Sequence, residues 1–351
     1  MKKIYRTILL VSIVSLMLGI SGCGSAKNSQ NIELGMAAVQ AADYKGALTL
    51  FESVQVKKEN GLSLYRGQGL AYMGLTKYQE AIASFIKALS YSSGRLSDME
   101  YDINYYLATS YYKDGDSDGA IDTYGAILAL KPKEKDAYYL RGAVELESGD
   151  YEKAIADFDK AIELDRNNCS TYIDIYICLE QNGYEEKGKE YLETIMDSES
   201  KATSDFDKGR ICYYLGDYKN ACIYFDLANK AVNNEETALF LGKAYEASGD
   251  INFAASIYNS FLINHLQSAA IYNQLGLCKM KLKDYEAALV AFQTAMAIKD
   301  NSIVQTLKYN EIVAYEFLED YKKATVLMES YLSTYPDDAA AKREYEFLQT
   351  R

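Results

Sequence analysis

A chain of 351 residues that is 49% hydrophobic and 25% charged has apolar surface enough to fold, which excludes a disordered segment. Two prolines, Pro132 and Pro336, are few for this length and suit a helical protein. The formal net charge of −13 repels phosphate backbones, so nucleic acid is not expected as a partner.

The first residues read as an export signal. Lys2, Lys3 and Arg6 form a basic start, and "TILLVSIVSLMLGI" (7–20) is an apolar run shorter than the roughly 20 residues of a spanning helix. "ISGC" (20–23) follows. It resembles the lipobox of bacterial lipoproteins, where cleavage falls before a cysteine that is then lipidated. The resemblance implies that residues 1–22 are removed and that Cys23 carries the lipid, palmitate included. It places the protein on the extracytoplasmic face of a bacterial membrane. An uncleaved anchor or an ordinary export signal is the alternative. "GSAKNSQN" (24–31) reads as a small-residue tether, spanning at most about 29 Å when extended.

From residue 32 to 338 the chain repeats itself. "GDYEKAIADFDKAIELD" (149–165) has near-copies at 215–231 and 282–298. Aligned on the small residue after "DY-x-x", the copies fall at Ala47, Ala81, Ala120, Ala154, Gly188, Ala221, Ala254, Ala288 and Ala324. Four residues after each stands a large side chain: Phe51, Phe85, Tyr124, Phe158, Leu192, Phe225, Tyr258, Phe292 and Met328. Twelve residues before six of them stands glycine, as at Gly35, Gly142 and Gly242; Ala108, Tyr176 and Ile312 fill the other three places. Each copy reads as two helices. Gly115, Gly149, Gly216 and Gly249 end first helices, and Asp116, Asp150, Asp217 and Asp250 are the expected caps of second ones. One such hairpin cannot bury its apolar face alone, so neighbours must stack.

This pattern resembles the tetratricopeptide repeat, with its period of about 34 residues and its small-residue-to-aromatic spacing. The resemblance implies an all-α, right-handed superhelical α-solenoid of about nine helix-turn-helix units. Three departures carry expectations. A longer gap before Ala120 predicts a loop around "SYSSGRLSDME" (90–100). The fifth copy, near 169–202, lacks the glycine and reads as one residue short in its turn. Residues 339–351, within "DDAAAKREYEFLQTR", read as a helix that closes the array.

Catalytic and metal-binding patterns are thin. His265 is the one histidine, too few for a histidine-based zinc site. Asp114, Asp116 and Asp118 open like a calcium loop, but Gly125 stands where that loop needs its clamping carboxylate. Cys169, Cys178, Cys212, Cys222 and Cys278 have no CxxC spacing and read as small apolar residues at helix interfaces. "GQGLAYMG" (67–74) fails dinucleotide spacing. No enzyme activity, no metal and no cofactor is expected.

In the family that the repeats resemble, the first helices line a concave groove through positions 2, 5, 9, 12 and 13. Carried over, these positions are Tyr105, Thr109, Tyr112 and Lys113 in the third copy and Tyr139 in the fourth. The sixth gives Phe206, Arg210, Tyr213 and Tyr214, the seventh Leu239, Lys243 and Glu246, and the fifth the more aliphatic Ile173 and Ile177. Aromatic and arginine side chains dominate binding hot spots. With 33 tyrosines in the chain, scattered tyrosine is the competing reading. A binding strip would leave these side chains exposed and cheap to truncate. The function expected is a membrane-anchored adaptor that holds a protein or peptide in its groove. The alternative is a protein of the cell envelope that binds glycan or wall fragments. A lipid-anchored enzyme ranks last.

Overall fold

The computed structural model describes residues 23–92, 97–197, 203–299 and 301–351. The basic start and apolar run of the export signal lie outside the described residues, and of Cys23 only the backbone is described. Among the described residues there are nineteen α-helices and no strand. The chain divides into two compact units, one ending at Ala161 and the other beginning at Ile162.

The first unit holds α1 (Cys23–Gln40) with α2 (Tyr44–Glu52), α3 (Gly61–Gly74) with α4 (Tyr78–Leu89), α5 (Asp98–Asp114) with α6 (Ser117–Leu130), and α7 (Lys135–Glu147) with most of α8 (Tyr151–Leu164). The second unit begins near the end of α8. It holds α9 (Cys169–Gln181) with α10 (Glu185–Asp197), α11 (Asp205–Tyr214) with α12 (Tyr218–Ala231), and α13 (Glu235–Ala247) with α14 (Ile251–Leu262). There follow α15 (Ala269–Lys281) with α16 (Tyr285–Met296), α17 (Val304–Phe317) with α18 (Tyr321–Thr334), and the last helix α19 (Ala339–Leu348).

One steric device recurs in the hairpins. The small residue and the large one four places on share a helix face, and all nine pairs are buried. The large ring reaches the glycine of the first helix. A Cβ added at Gly142 would stand 3.0 Å from Cε1 of Phe158, and one at Gly209 2.6 Å from Cδ1 of Phe225. At Gly35, Gly69, Gly242 and Gly276 it would overlap the rings of Phe51, Phe85, Tyr258 and Phe292. The glycine therefore buys the close approach of the two axes that lets the ring fill the hole.

The turns between paired helices are equally regular. Gly115, Gly149, Gly183, Gly216 and Gly249 take positive φ of 78–92° just after the first helix. Asp43, Asp116, Asp217, Asp250 and Asp320 then accept the first-turn amides of Gly46, Gly119, Asn220, Phe253 and Lys323. In the fifth hairpin Gly183 precedes Gly188 by five residues, the same interval as Gly115 to Ala120, so its turn is not short. The turn of that copy lacks the capping aspartate, with Tyr184 in its place.

Two other expectations change. The long loop ends sooner than residue 100, because Ser97 and Glu100 form a reciprocal cap that starts α5 at Asp98. Residues 24–31 are not a separate tether but the first turns of α1. The Asn28 side chain donates to the Gln55 carbonyl (3.1 Å) and accepts from the Gln55 amide (3.2 Å), which fastens that stretch to the end of the first hairpin. At the other end, Asp338 caps α19 by accepting from Ala340 and Ala341, and Ala341 and Leu348 join a core with Ile312, Met328 and Tyr331.

Candidate functional site

Within each unit, first helices touch the first helices of neighbouring hairpins: α1 meets α3 and α3 meets α5, and in the second unit α9 meets α11, α11 meets α13 and α13 meets α15. Second helices pack instead between the first helices before and after them, as α4 does against α3 and α5. The first helices thus line the crowded side of each unit. The groove residues read from the sequence lie on these helices.

In the first unit Tyr105, Tyr112 and Tyr139 are half-buried. The Tyr105 ring meets Tyr124 edge-on at 6.2 Å, and burial, with the Glu134 and Asp136 carboxylates nearby, pushes its hydroxyl well above the usual tyrosine range. Tyr112 donates to the Glu147 carboxylate of the next hairpin (2.7 Å), and the Lys113 ammonium lies 5.0 Å from the Tyr112 ring centre. Tyr139 packs on Phe158 with centroids 6.0 Å apart. Thr109 donates to the Tyr105 carbonyl of its own helix.

The second unit gathers a denser aromatic group. Phe206 lies 5.7 Å from Phe225 and 5.5 Å from Phe240, and Tyr213 reaches Phe240, Tyr214 and Tyr218. The Arg210 guanidinium sits 5.9 Å from the centres of both Phe206 and Phe240, donates to Ser170 Oγ (3.2 Å) and pairs with Asp207 (3.6 Å). Lys243 is exposed, Leu239 is half-buried and Ile173 is fully buried. Glu246 accepts from the buried Tyr258 hydroxyl (2.9 Å) and pairs with Lys281 (2.7 Å), so it ties two hairpins together.

These side chains are therefore not a freely exposed strip. Tyr105, Phe206 and Tyr213 pack against the apolar clusters under the first helices, because a large ring on a crowded face sinks between neighbours. Arg210 is already engaged by two rings, a hydroxyl and a carboxylate. The surface is a half-sunken aromatic floor with Lys243 standing free of it in the second unit.

Several residues of this surface were not legible from the groove positions. Phe240 stands one place beyond the position assigned to Leu239 and closes over Arg210. Tyr176, Glu180 and Tyr218 join Tyr213 and Tyr214 around a cavity of about 370 Å³. Glu180 holds the place in its copy that Tyr112, Tyr213 and Glu246 hold in theirs, which is the signal that could have found it. Tyr176 donates to Glu180 (3.1 Å), and burial together with that acceptor pushes its hydroxyl up to about 12.

The five cysteines are buried, as expected of small interface residues. Burial pushes the Cys212 thiol up to about 11 and the Cys278 thiol up to about 12, which makes both poor nucleophiles. Asp116, first of the turn after Gly115, gives its carboxylate to the Gly119 amide (2.9 Å). His265 stacks on Phe261 with centroids 4.2 Å apart.

Family models described as tetratricopeptide repeat match residues 66–127 and 105–168, and another matches 269–302. A TPR repeat-containing protein of Methanocaldococcus jannaschii is 27% identical over 254 residues, covering 68% of this chain and 43% of its own. Tetratricopeptide repeat protein 21B of Xenopus laevis is 24% identical over 271 residues, covering 66% of this chain and 20% of its own. The chain thus spans less than half the length of these curated relatives. Among solved structures, a tetratricopeptide repeat protein from Parabacteroides merdae aligns over 73% of this chain and 99% of its own at 15% identity and a TM-score of 0.45. A MamA structure from Desulfovibrio magneticus aligns over 50% of this chain and 98% of its own at 19% identity and a TM-score of 0.41. Residues 66–168 and 269–302 thus carry tetratricopeptide repeats, and the fold class is an all-α solenoid of helix-turn-helix units.

Proposed function

We propose that this chain is a scaffold of tetratricopeptide repeats, fixed by a lipid on Cys23 to the extracytoplasmic face of a bacterial membrane. It holds a protein or peptide partner against its first helices. The observation that carries the binding half is the half-sunken aromatic floor. Phe206, Tyr213, Tyr214 and Phe240 are half-buried on first helices that touch one another, and the exposed Lys243 follows Phe240 by one turn of α13. Rings held by their own neighbours lose little side-chain entropy when a partner covers them, which is what makes rigid aromatics good anchors. The membrane half rests on the basic start, the apolar run 7–20 and the ISGC ending.

Lys243→Glu tests the binding half. The side chain is exposed, so stability should stay within about 0.5 kcal/mol. Crosslinking of tagged protein in its own cells should lose the partner that wild type captures. Unchanged capture would move the binding face elsewhere. For the anchor, Cys23→Ser should abolish incorporation of a labelled fatty acid and leave the chain at its uncleaved size, because only a thiol forms the thioether.

A further inference from the structure

Beside the aromatic floor of the second unit lies the cavity of about 370 Å³, walled by Tyr213, Tyr214 and Tyr218 and floored by Tyr176. Its rings do not lie in one stack. Tyr213 stands at 85° to Tyr214 and 62° to Tyr218, each 5.6 Å away, and Tyr214 tilts 50° from Tyr176 at 5.5 Å. Steeply angled rings pack edge to face, so each pair covers one face and leaves the remainder of the rings to line the cavity. Carboxylates stand at the rim. Glu180 and Glu185 line the cavity, and each is exposed. Among the described residues Lys189 is the one cation that lines it, and Glu185 (2.8 Å) and Glu186 (2.9 Å) both pair with it. Glu180 meets only the hydroxyl of Tyr176 there (3.1 Å), which leaves its negative charge uncompensated at the mouth.

We infer that this cavity takes a cationic side chain, lysine or arginine, from the partner segment bound along the first helices. Ring faces attract a cation from the side and Glu180 attracts it from the rim, so both favour the same charge. A neutral aliphatic side chain of the same length would gain the rings but nothing from Glu180. A sugar would find hydrogen-bonding groups here too, in the tyrosine hydroxyls, Glu180, Glu185 and Lys189, but only a cation gains from the excess of carboxylates. The negative net charge of the whole chain adds a long-range attraction for basic segments.

This inference rests on the scaffold reading, and its test is independent of any natural partner. The full-length chain, labelled with 3-fluorotyrosine and held in detergent micelles, would be titrated with N-acetyl-arginine amide and N-acetyl-lysine amide. N-acetyl-norleucine amide and diacetylchitobiose serve as controls. Fluorine resonances of Tyr213, Tyr214 and Tyr218 are assigned by single Tyr→Phe changes. Both cationic amides should shift these three resonances saturably while norleucine amide does not. Glu180→Gln, which keeps shape and hydrogen bonding, should weaken the titration about threefold to fivefold. Tyr218→Leu, which removes one wall, should weaken it as well and stands in if Glu180→Gln alters the melt. Equal shifts by norleucine amide, a titration indifferent to both substitutions, or shifts by the disaccharide alone would overturn the inference. Loss of cation binding with partner capture intact would reject the cavity's role and leave the scaffold standing. Cation binding with no partner captured at Lys243 would do the reverse.

Discussion

In the fifth hairpin Tyr176 occupies the place where six others have glycine, and Gly188 occupies the place where all the others have alanine. The two have exchanged sizes: a Cβ on Gly188 would stand 3.0 Å from Tyr176 Cδ2 and 3.2 Å from the Tyr176 carbonyl oxygen. Leu192, smaller than the usual aromatic, completes the trade by leaving room for the ring. In this hairpin the bulk at the contact has moved from the second helix to the first. Gly188→Ala should therefore cost about 1–3 kcal/mol by overpacking. In a Tyr176→Ala background the same change should cost at least about 0.5 kcal/mol less. Urea unfolding of the four proteins of the cycle measures the coupling; strict additivity would show that the two positions do not share space.

Glycines of this fold should divide by what faces them. Gly242 in α13 lies under the Tyr258 ring, and a Cβ there would overlap it. Moving the ring would also strain its hydroxyl bond to Glu246. Gly242→Ala is expected to destabilise by about 1–3 kcal/mol despite the better helix former. Gly125, in the middle of α6, would meet only Arg141 Nη1 at 3.6 Å. Gly125→Ala should stabilise by about 0.5–1 kcal/mol. Thermal melts of the two variants should move in opposite directions.

Among the described residues, four turns place a residue other than glycine in the left-handed region: Ala42, Thr76, Lys283 and Glu319, with φ of 57–61°. Thr76 is β-branched and so the most strained there. Relief of about 1–2 kcal/mol in the folded state outweighs the added freedom of the unfolded chain, so Thr76→Gly should gain up to about 1 kcal/mol. A lower melting temperature for this variant would mean that the Thr76 hydroxyl bond to the Leu75 carbonyl (2.7 Å) matters more than the backbone.

Glu145 gives the fold a pH dependence. Its side chain is buried beside Asp157, which is already held by Arg141 through two bonds of 2.6 and 2.8 Å. Burial, and then the Asp157 charge, push the Glu145 carboxyl up to about 7, against the partial pull of Arg141 and Lys153. A carboxyl raised in the folded state keeps a proton that the unfolded chain releases, so stability falls as pH climbs from about 4.5 to 7 and is flat above. Glu145→Gln should remove this loss, adding on the order of 2 kcal/mol at pH 8 and little at pH 4.5. Melts of both proteins across that range check it; parallel curves would contradict it.

Much of the fold was legible because its rule is local and repeated. Ala154, Phe158 and Gly142 meet through one helix turn and one short hairpin, so their spacing survives in the sequence. The glycine turns were equally legible, while Thr76 and Lys283 were not, since nothing in a residue's identity marks a left-handed turn that the hairpin enforces. The site was less legible. Position along a first helix names the face on which Tyr105 or Phe206 lies, but not how deeply the neighbouring helix lets the ring sink. Glu180 escaped for a related reason: its importance comes from Tyr213 and Tyr214 of the next hairpin, more than 30 residues away in the chain.

The claim that the first helices carry the partner is tested most directly by photocrosslinking in the native cell. A photoreactive phenylalanine would replace Tyr112 or Lys243 on first helices, and Ile86 or Val290, both well exposed, on second helices. The expected result is the same polypeptide joined at Tyr112 or Lys243, or at both, and absent at Ile86 and Val290. Adducts formed equally at Ile86 and Val290, or only there, would contradict the account and place the working surface on the second helices.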